Sequence, residues 1–325
     1  MCSRYLWYTP IYFKAVVYIS LPLVVIGVIL NVVSVIVLGL DKTMKHTTSF
    51  LLQMLAVADC AVLASCLFSI IANEIITFTD WLPFADKWRY FYFAFALKYV
   101  LPFVDITLNA AVWLVVIVTG ERYVAVRWPL EVPRYITMRR VRFTVGVTWF
   151  VSFALYVVIF FKREIISVRE GNTFCYIGLP TLYFAQIDNY RTIVRSIMTF
   201  ILPLFLLSFF NVRIINALRK SNAVRRELLG ACGRPIDDVT MISNKRRCTK
   251  TLIVVVIVFI ICQLPGCVNL AISSSRESSW NYLTWTQCLE YSNSISIISL
   301  SINSACNFVI YFLMGKRFRQ ILFSS

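Results

Sequence analysis

The chain has 325 residues, of which 59% are hydrophobic and 15% are charged, and its formal net charge at pH 7 is +16. Soluble globular domains carry about 25% charged residues, so this deficit, with long apolar stretches, indicates a polytopic helical membrane protein. The positive charge does not indicate nucleic-acid binding, because the basic residues alternate with apolar segments rather than forming one face. One histidine, His46, and no cluster of acids argue against an enzyme, a metal site or a cofactor.

Seven apolar segments are long enough to cross a bilayer as helices. They cover residues 15–40, 48–76, 91–124, 140–161, 192–218, 248–273 and 284–314. We therefore predict an all-α seven-transmembrane helix bundle over residues 15–314. An N-terminal segment (residues 1–14) precedes it, and a short amphipathic eighth helix and tail (residues 315–325) follow it.

The distribution of lysine and arginine predicts the orientation of these spans. About two thirds of the 32 basic residues fall in the segments that are cytoplasmic if the first loop is inside. We therefore expect an extracellular N-terminus and a cytoplasmic C-terminus in the plasma membrane, with the bilayer as a partner. The largest cytoplasmic insertion is then residues 213–250, whose basic residues either bind anionic lipid or dock a cytoplasmic protein.

The third apolar segment ends on a charged pair, Glu121-Arg122, followed by Tyr123. An arginine costs about 2.5–3.5 kcal/mol at the centre of a membrane helix on insertion scales, and less at its end. An acid precedes this arginine, and a basic loop with Pro129 and Leu130 follows it. We therefore expect a paired, charged group at one membrane surface, where a soluble protein can contact it.

Several polar residues lie within the spans, where they are costly to bury. Asn31 lies in the first span and Asp59 in the second, while Asn303 and Asn307 share a face of the seventh, one turn before Tyr311. A buried carboxylate needs partners, which the asparagines can supply. Two readings stay open: polar side chains that hold the helices together permanently, or a protonation- or ion-sensitive switch between two packings.

The order of these motifs resembles that of the rhodopsin-like G-protein-coupled receptors, with matches from about residue 20 to residue 320. The matching residues fall in every span: Asn31, Leu55-Ala56-Val57-Ala58-Asp59, Glu121-Arg122-Tyr123 with Pro129-Leu130, Trp149, Pro203, Phe259 with Cys262 and Pro265, and Asn307 with Tyr311. The resemblance implies a seven-helix bundle that binds an extracellular agonist and activates a heterotrimeric G protein. The run from Asn303 to Tyr311 is most similar to that of invertebrate FMRFamide-type neuropeptide receptors.

The resemblance also implies roles for individual residues. Glu121 would hold Arg122 at rest, Arg122 would meet the G protein once released, and Leu130 would dock the second inner loop. Asp59 with Asn303 and Asn307 resembles the sodium or proton site of the family, and Phe259 and Pro265 resemble its transmission hinge. Four departures weaken these expectations: Gln263 replaces a tryptophan, Phe308 a proline, Asn211 a tyrosine and Ala111 a serine. A receptor-like chain that couples poorly is therefore one alternative.

Ten cysteines are present, and the third span lacks the extracellular cysteine usual in this family. Cys175, in the second outer loop, therefore lacks its normal partner. We expect it either to pair with Cys2 or Cys288 or to remain free.

The outer half of the bundle is expected to form the ligand site, since it is apolar with a few polar groups. Its candidate ligand-binding residues are Asp105, Asn109, Gln263, Asn269, Glu74, Glu290, Tyr99 and Phe103. By analogy with the family, Val104 disfavours an amine ligand and Ser301 excludes retinal. A peptide ending in Arg-Phe-amide would bring a cation, which Asp105, Glu74 or Glu290 would pair. The alternatives are a receptor for a small molecule, odorant or lipid, and a transporter, although no internal repeat favours the latter.

Overall fold

The computed structural model describes residues 15–40, 46–68, 91, 94–128, 130–170, 173–232, 254, 257–272 and 282–314. Long helices account for most of this part of the chain, and we label them in chain order. They are α1 (Leu21–Leu40, after a π-helical turn Ala15–Ser20), α2 (His46–Cys66), α3 (Leu101–Arg127, after a π-helical turn Ala96–Val100) and α4 (Met138–Tyr156, continued by a 3-10 turn Val157–Phe161).

The second half of the chain contains three further long helices in the described residues. Helix α5 is continuous through three segments: Phe184–Val194, the π-helical turn Arg195–Ile201, and Leu202–Cys232. Helix α6 is described over Ile257–Ile272 and α7 over Tyr282–Met314. Within the described ranges, α1 to α5 are long and apolar enough to cross a membrane, and α6 is a shorter apolar helix.

Two features differ from the sequence-based prediction. Helix α5 begins at Phe184, whereas the prediction placed its start at residue 192. The prediction was late because the first turns contain Asp188 and Arg191, whose charges lower the local hydropathy. The predicted loop before it contains an antiparallel hairpin of β1 (Arg163–Glu170) and β2 (Thr173–Pro180). The sequence between the strands is Gly171-Asn172, a dipeptide typical of hairpin connections, which the sequence-based prediction did not use.

The end of α5 also differs, because the helix continues to Cys232, beyond the predicted end of the span at residue 218. The other boundaries that the structure describes agree within a few residues. Helix α2 ends at Cys66 within a predicted span of 48–76, and the part of that span beyond residue 68 lies outside the described residues. The N-terminal segment 1–14 and the predicted eighth helix 315–325 also lie outside them.

Helix α3 forms the centre of the bundle. Thirteen of its residues are buried, and Leu108, Leu114 and Ala111 lie in one core cluster with Leu207 of α5 and Phe259 of α6. In contrast, large apolar side chains of α1 are exposed, including Ile26, Ile29 and Ile36. An apolar outer surface over a packed interior is the pattern expected for helices in contact with lipid.

A buried asparagine joins the first and last helices. The Nδ2 of Asn31 donates to the backbone carbonyl of Ser304 in α7 at 3.0 Å and to that of Gly27 in its own helix at 2.8 Å. The helices pack closely here, since a Cβ on Gly27 would lie 2.8 Å from Cδ1 of Leu63 in α2. Hydrogen bonds between membrane helices contribute about 0.6 kcal/mol on average and up to about 1.7 kcal/mol.

We therefore predict that Asn31→Ala lowers the thermal stability of the purified protein by about 1 kcal/mol, or a few degrees of Tm, because α1 loses its bond to α7. Thermal unfolding in lipid nanodiscs measures this. Ile29→Ala, on the exposed face of the same helix, is the matched control and should change Tm less. Equal Tm values for the two variants would contradict this role for Asn31.

Candidate functional site

The bundle has two ends with different chemistry. We call the end that carries β1 and β2 the hairpin end, and the end where α3 finishes at Arg127 the Arg122 end. Glu121, Arg122 and Tyr123 lie in the last two turns of α3, in the segment Glu121-Arg122-Tyr123-Val124-Ala125-Val126-Arg127.

Glu121 is bound by α2 rather than by its neighbour Arg122. Its Oε1 accepts hydrogen bonds from the hydroxyls of Thr47 at 3.0 Å and Thr48 at 2.9 Å, and its Oε2 is buried without a partner. Arg122 is exposed, and it makes no ion pair with Glu121. The expected Glu121–Arg122 pair is therefore not formed in this structure, because the threonine hydroxyls already satisfy one carboxylate oxygen.

A cleft of about 380 Å³ opens between the ends of α3 and α5, and Tyr123, the residue after Arg122, is part of its lining. Its described lining is basic and aromatic: Tyr123, Val126, Arg127, Arg213, Asn216, Ala217 and Lys220. The Tyr123 ring packs between Trp128 and Phe210, with ring centroids 5.7 Å away on each side. Leu130 projects from the following turn with 95% of its surface exposed, and Pro129 lies outside the described residues.

The predicted polar switch is assembled midway along the bundle. The Nδ2 of Asn307 donates to Oδ2 of Asp59 at 2.7 Å, while Oδ1 of Asp59 has no hydrogen-bond partner. A cavity of about 20 Å³ lies beside them and is lined by Asp59, Ala111, Val112, Val115, Phe259, Asn303 and Asn307. It has room for about one water molecule, and its lining offers one carboxylate and two amides but no hydroxyl.

The switch residues of α6 and α7 lie nearby. The carbonyl of Pro265 accepts a hydrogen bond from the Ser296 hydroxyl at 3.0 Å, which joins α6 to α7 at the proline. Gln263 is 5% exposed, and its Nε2 has no hydrogen-bond partner. Tyr311 lies within α7, but its side chain is outside the described part.

At the hairpin end, Asp105 is bound by two arginines of α5. Its side chain is fully buried and accepts from Arg191 at both oxygens, with Nε to Oδ2 at 2.7 Å and Nη2 to Oδ1 at 3.4 Å. Arg195 contributes a third bond, from Nη1 to Oδ1 at 3.1 Å. The arginine side chains are 15% and 16% exposed. Asp105 therefore already has its counter-ions from within the chain.

A second ion pair lies next to this one. Lys162, which follows α4, pairs with Asp188 in the first turns of α5, and its ammonium also lies 4.5 Å from the centre of the Phe184 ring. Burial, followed by the positive charge of Arg191, lowers the pKa of Lys162, and the bond to Asp188 opposes this shift. The hairpin end thus concentrates positive charge around Arg191.

Two of the other predicted ligand residues join helices instead of facing open space. Asn109 donates to Ser152 of α4 at 2.9 Å and accepts from Thr199 of α5 at 3.2 Å. Asn269 donates to Asn293 and accepts from Ser292, both of α7 and both at 2.7 Å. The structure therefore assigns the hydrogen-bonding atoms of both side chains to other helices.

The remaining ligand candidates are scattered. Phe103 is 46% exposed and packs edge-on against Phe160, with ring centroids 5.5 Å apart, and Tyr99 is 38% exposed beside Phe95. Glu290 lies within α7 with its side chain outside the described part, and Glu74 lies outside the described residues. Among the predicted ligand residues whose side chains the structure describes, Asp105 is buried against two arginines, and Gln263 is buried with an unbonded Nε2.

One of the two partners predicted for Cys175 is wrong. Cys288 carries a free thiol, so the Cys175–Cys288 bond is not formed. The side chain of Cys175 and all of Cys2 lie outside the described part.

Sequence reasoning did not select Arg191 and Arg195. The signal was present, because Arg195 fell inside a predicted span without a role, and arginines in spans usually have a partner. The two residues are four apart, so they share a face of a helix and can reach one acid.

The motif order and the helix bundle agree with the comparisons to known proteins. The family described as 7 transmembrane receptor (rhodopsin family) matches residues 30–311. Similar proteins include the FMRFamide peptide receptor frpr-18 of Caenorhabditis elegans, 26% identical over 93% of this chain and 67% of that protein. The Allatostatin-A receptor of Bombyx mori is 23% identical over 91% of this chain and 74% of that protein.

The FMRFamide receptor of Drosophila melanogaster is 25% identical over 91% of this chain and 51% of that protein. These relatives are receptors and not enzymes, which agrees with the prediction that this chain is not an enzyme. The family match covers most of the chain and includes the segments that form α2 to α5 in full. The chain belongs to the rhodopsin family of seven-transmembrane receptors.

Proposed function

We propose that this receptor binds an extracellular peptide at the hairpin end and activates a heterotrimeric G protein at the Arg122 end. The observation that carries the second half is the exposed Arg122, which pairs with no acid among the described residues and precedes Tyr123 of a basic and aromatic cleft. A cleft of this kind suits a helical segment of a soluble protein that carries apolar and acidic groups. Leu130, almost fully exposed, supplies an apolar contact next to it.

The proposed orientation follows the basic residues. With the Arg122 end in the cytoplasm, the charged cleft faces the side of the membrane that carries most lysine and arginine. The N-terminus is then extracellular, the C-terminus cytoplasmic, and the receptor a multi-pass protein of the plasma membrane.

The peptide ligand is proposed from the relatives, whose names include FMRFamide and allatostatin receptors. Asp105 affects the ligand indirectly, by positioning the arginines to which it is bonded. Asn109 and Asn269 define the shape of the site because they join helices. A small-molecule, odorant or lipid ligand is the alternative, and screening against peptides separates the two.

Activation is proposed to run through the polar residues midway along the bundle. Asp59 has one oxygen bound by Asn307 and one oxygen open to a small cavity, so its environment changes if α7 moves. Phe259 lines the same cavity from α6, and Pro265 of that helix is bonded to α7. A shift of α6 is therefore transmitted directly to Asp59.

Arg122→Ala is expected to remove agonist-stimulated nucleotide exchange on the G protein, because the exposed guanidinium is lost from the docking surface. Agonist binding and surface expression should remain, since Arg122 contacts no described residue at the other end. Exchange assays with a peptide library measure this in membranes. Arg139→Ala, an exposed arginine of α4 at the same end, is the control. Exchange that survives in the Arg122 variant would contradict the proposal.

The double substitution Thr47→Val and Thr48→Val is expected to lower basal nucleotide exchange. Without the two hydroxyls, an ion pair with Arg122 stabilises the carboxylate of Glu121. The ion pair withdraws the arginine from the docking surface. One charge-assisted hydrogen bond of about 1.5 kcal/mol corresponds to about a tenfold shift, which sets the expected size.

The control for this pair of substitutions is Thr144→Val, whose hydroxyl bonds only to a carbonyl of its own helix. It should leave basal exchange unchanged. Basal exchange that stays constant or rises in the double variant would show that the threonines do not keep Glu121 away from Arg122.

A further inference from the structure

Arg195 brings a positive charge that Asp105 does not need. Arg191 alone forms two hydrogen bonds to the carboxylate, which makes a neutral one-to-one pair. Arg195 adds a single bond at 3.1 Å to an oxygen that Arg191 already contacts. The buried group of three therefore has one surplus positive charge, which is costly to keep inside a bundle unless a further anion compensates it.

Within the described residues, the nearest other charges do not supply that anion. Lys162 and Asp188 balance each other in their own ion pair. The five side chains Asp105, Asp188, Lys162, Arg191 and Arg195 thus comprise three basic and two acidic groups.

Arg195 also has N–H groups that are not bonded to Asp105. Its Nη1 is bonded to Asp105, but no described residue accepts a hydrogen bond from its Nε or Nη2. The Nη2 points towards α6, since a Cβ built on Gly266 would lie 3.4 Å from it. The absence of a side chain at Gly266 thus leaves space next to an unsatisfied, charged donor.

A second unsatisfied donor lies one turn away on α6. Gln263 precedes Gly266 by three residues, so the two positions share a face of the helix. Gln263 is only 5% exposed, and its Nε2 has no hydrogen-bond partner. A buried amide without a partner costs about 1–3 kcal/mol, so it favours any acceptor that can reach it.

We propose, resting on the function proposed above, that this receptor recognises a carboxylate of its ligand between Arg195 and Gln263. A carboxylate offers two oxygens and one negative charge, which match the two unsatisfied donors and the surplus positive charge. The ligand is then a peptide with a free C-terminal carboxylate or an acidic side chain, unlike the amidated peptide for which the FMRFamide receptors are named. This replaces the expectation that Asp105 pairs a cation of the ligand, because both oxygens of Asp105 are already bound.

The test uses the full-length receptor with G protein in lipid nanodiscs. Each peptide of a library is supplied in two forms, with a free C-terminal carboxylate and with a C-terminal amide, and nucleotide exchange is measured. We expect the active peptides to lose about tenfold or more in EC50 when their carboxylate is amidated or an acidic side chain is neutralised. Arg195→Gln should abolish that difference and leave the neutral Asp105–Arg191 pair to hold the fold.

Lys98→Gln is the matched control, since Lys98 is a basic residue at the same end that is not bonded to Asp105. It should keep the preference for the carboxylate. Asp105→Asn distinguishes a carboxylate ligand from a cationic one. A carboxylate ligand should bind this variant at least as well as it binds the wild-type protein, whereas a cationic ligand would bind more weakly because its partner is lost. Activity that falls in Asp105→Asn but persists in Arg195→Gln, both corrected for surface expression, would overturn the proposal while leaving the receptor function intact.

If no peptide of either series stimulates exchange, the proposed peptide-receptor function fails, and the carboxylate site is decided separately by thermal stability. N-acetylphenylalanine and its amide are the probes, at millimolar concentration. The acid should raise the Tm of the wild-type protein and not that of Arg195→Gln. Equal shifts with acid and amide, or none with either, would overturn the proposed site.

Discussion

The structure depends on one constraint, which is that polar groups inside the bundle find their partners on other helices. Lipid offers no hydrogen bonds, so polar side chains that point inward are stabilised by partners within the protein, and Asp59 and Gln263, each with one unbonded atom, are among the exceptions. Asn31 binds a carbonyl of α7, Asn109 binds α4 and α5, and Asn269 binds α7. The helices are therefore joined at specific depths, and the apolar packing around α3 fills the space between these bonds.

The same constraint explains why the two ends of the bundle differ. At the Arg122 end, threonines of α2 provide the partner for Glu121, so the arginine beside it remains in contact with solvent. At the hairpin end, an acid of α3 is surrounded by two arginines of α5. One end therefore presents a charge outward, whereas the other keeps a charge inside the bundle. The first suits docking of a soluble protein and the second suits a small, deep contact with a ligand group.

Much of this architecture was predictable from the sequence. Seven apolar segments with one motif in each span predicted the fold. The sequence also predicted that asparagines bind Asp59; Asn307 does so, whereas Asn31 bonds the carbonyl of Ser304 instead. The partners of Glu121 and Asp105 were not predictable, because they depend on which helices lie side by side. Hydropathy also placed the start of α5 too late, since its charged residues are neutralised only after the helices pack. A sequence shows the charge of each side chain, but not which opposite charge lies across the bundle.

The π-helical turn Arg195–Ile201 has a consequence for how this receptor tolerates changes in chain length. A π-helical turn contains one residue more than the α-helical turn that it replaces, so it sets the rotation of one half of α5 relative to the other. Removing a single residue there would produce an ordinary α-helix with all its backbone bonds. Such a deletion would leave the two halves of α5 in nearly the same relative orientation, because the residue removed is the one that the wide turn accommodates. The opposite change is the harmful one: if the same seven residues formed a regular α-helix, the extra residue would rotate Arg191 by about 100° relative to the remainder of α5 and separate it from Asp105. The wide turn itself therefore keeps Arg191 directed at Asp105.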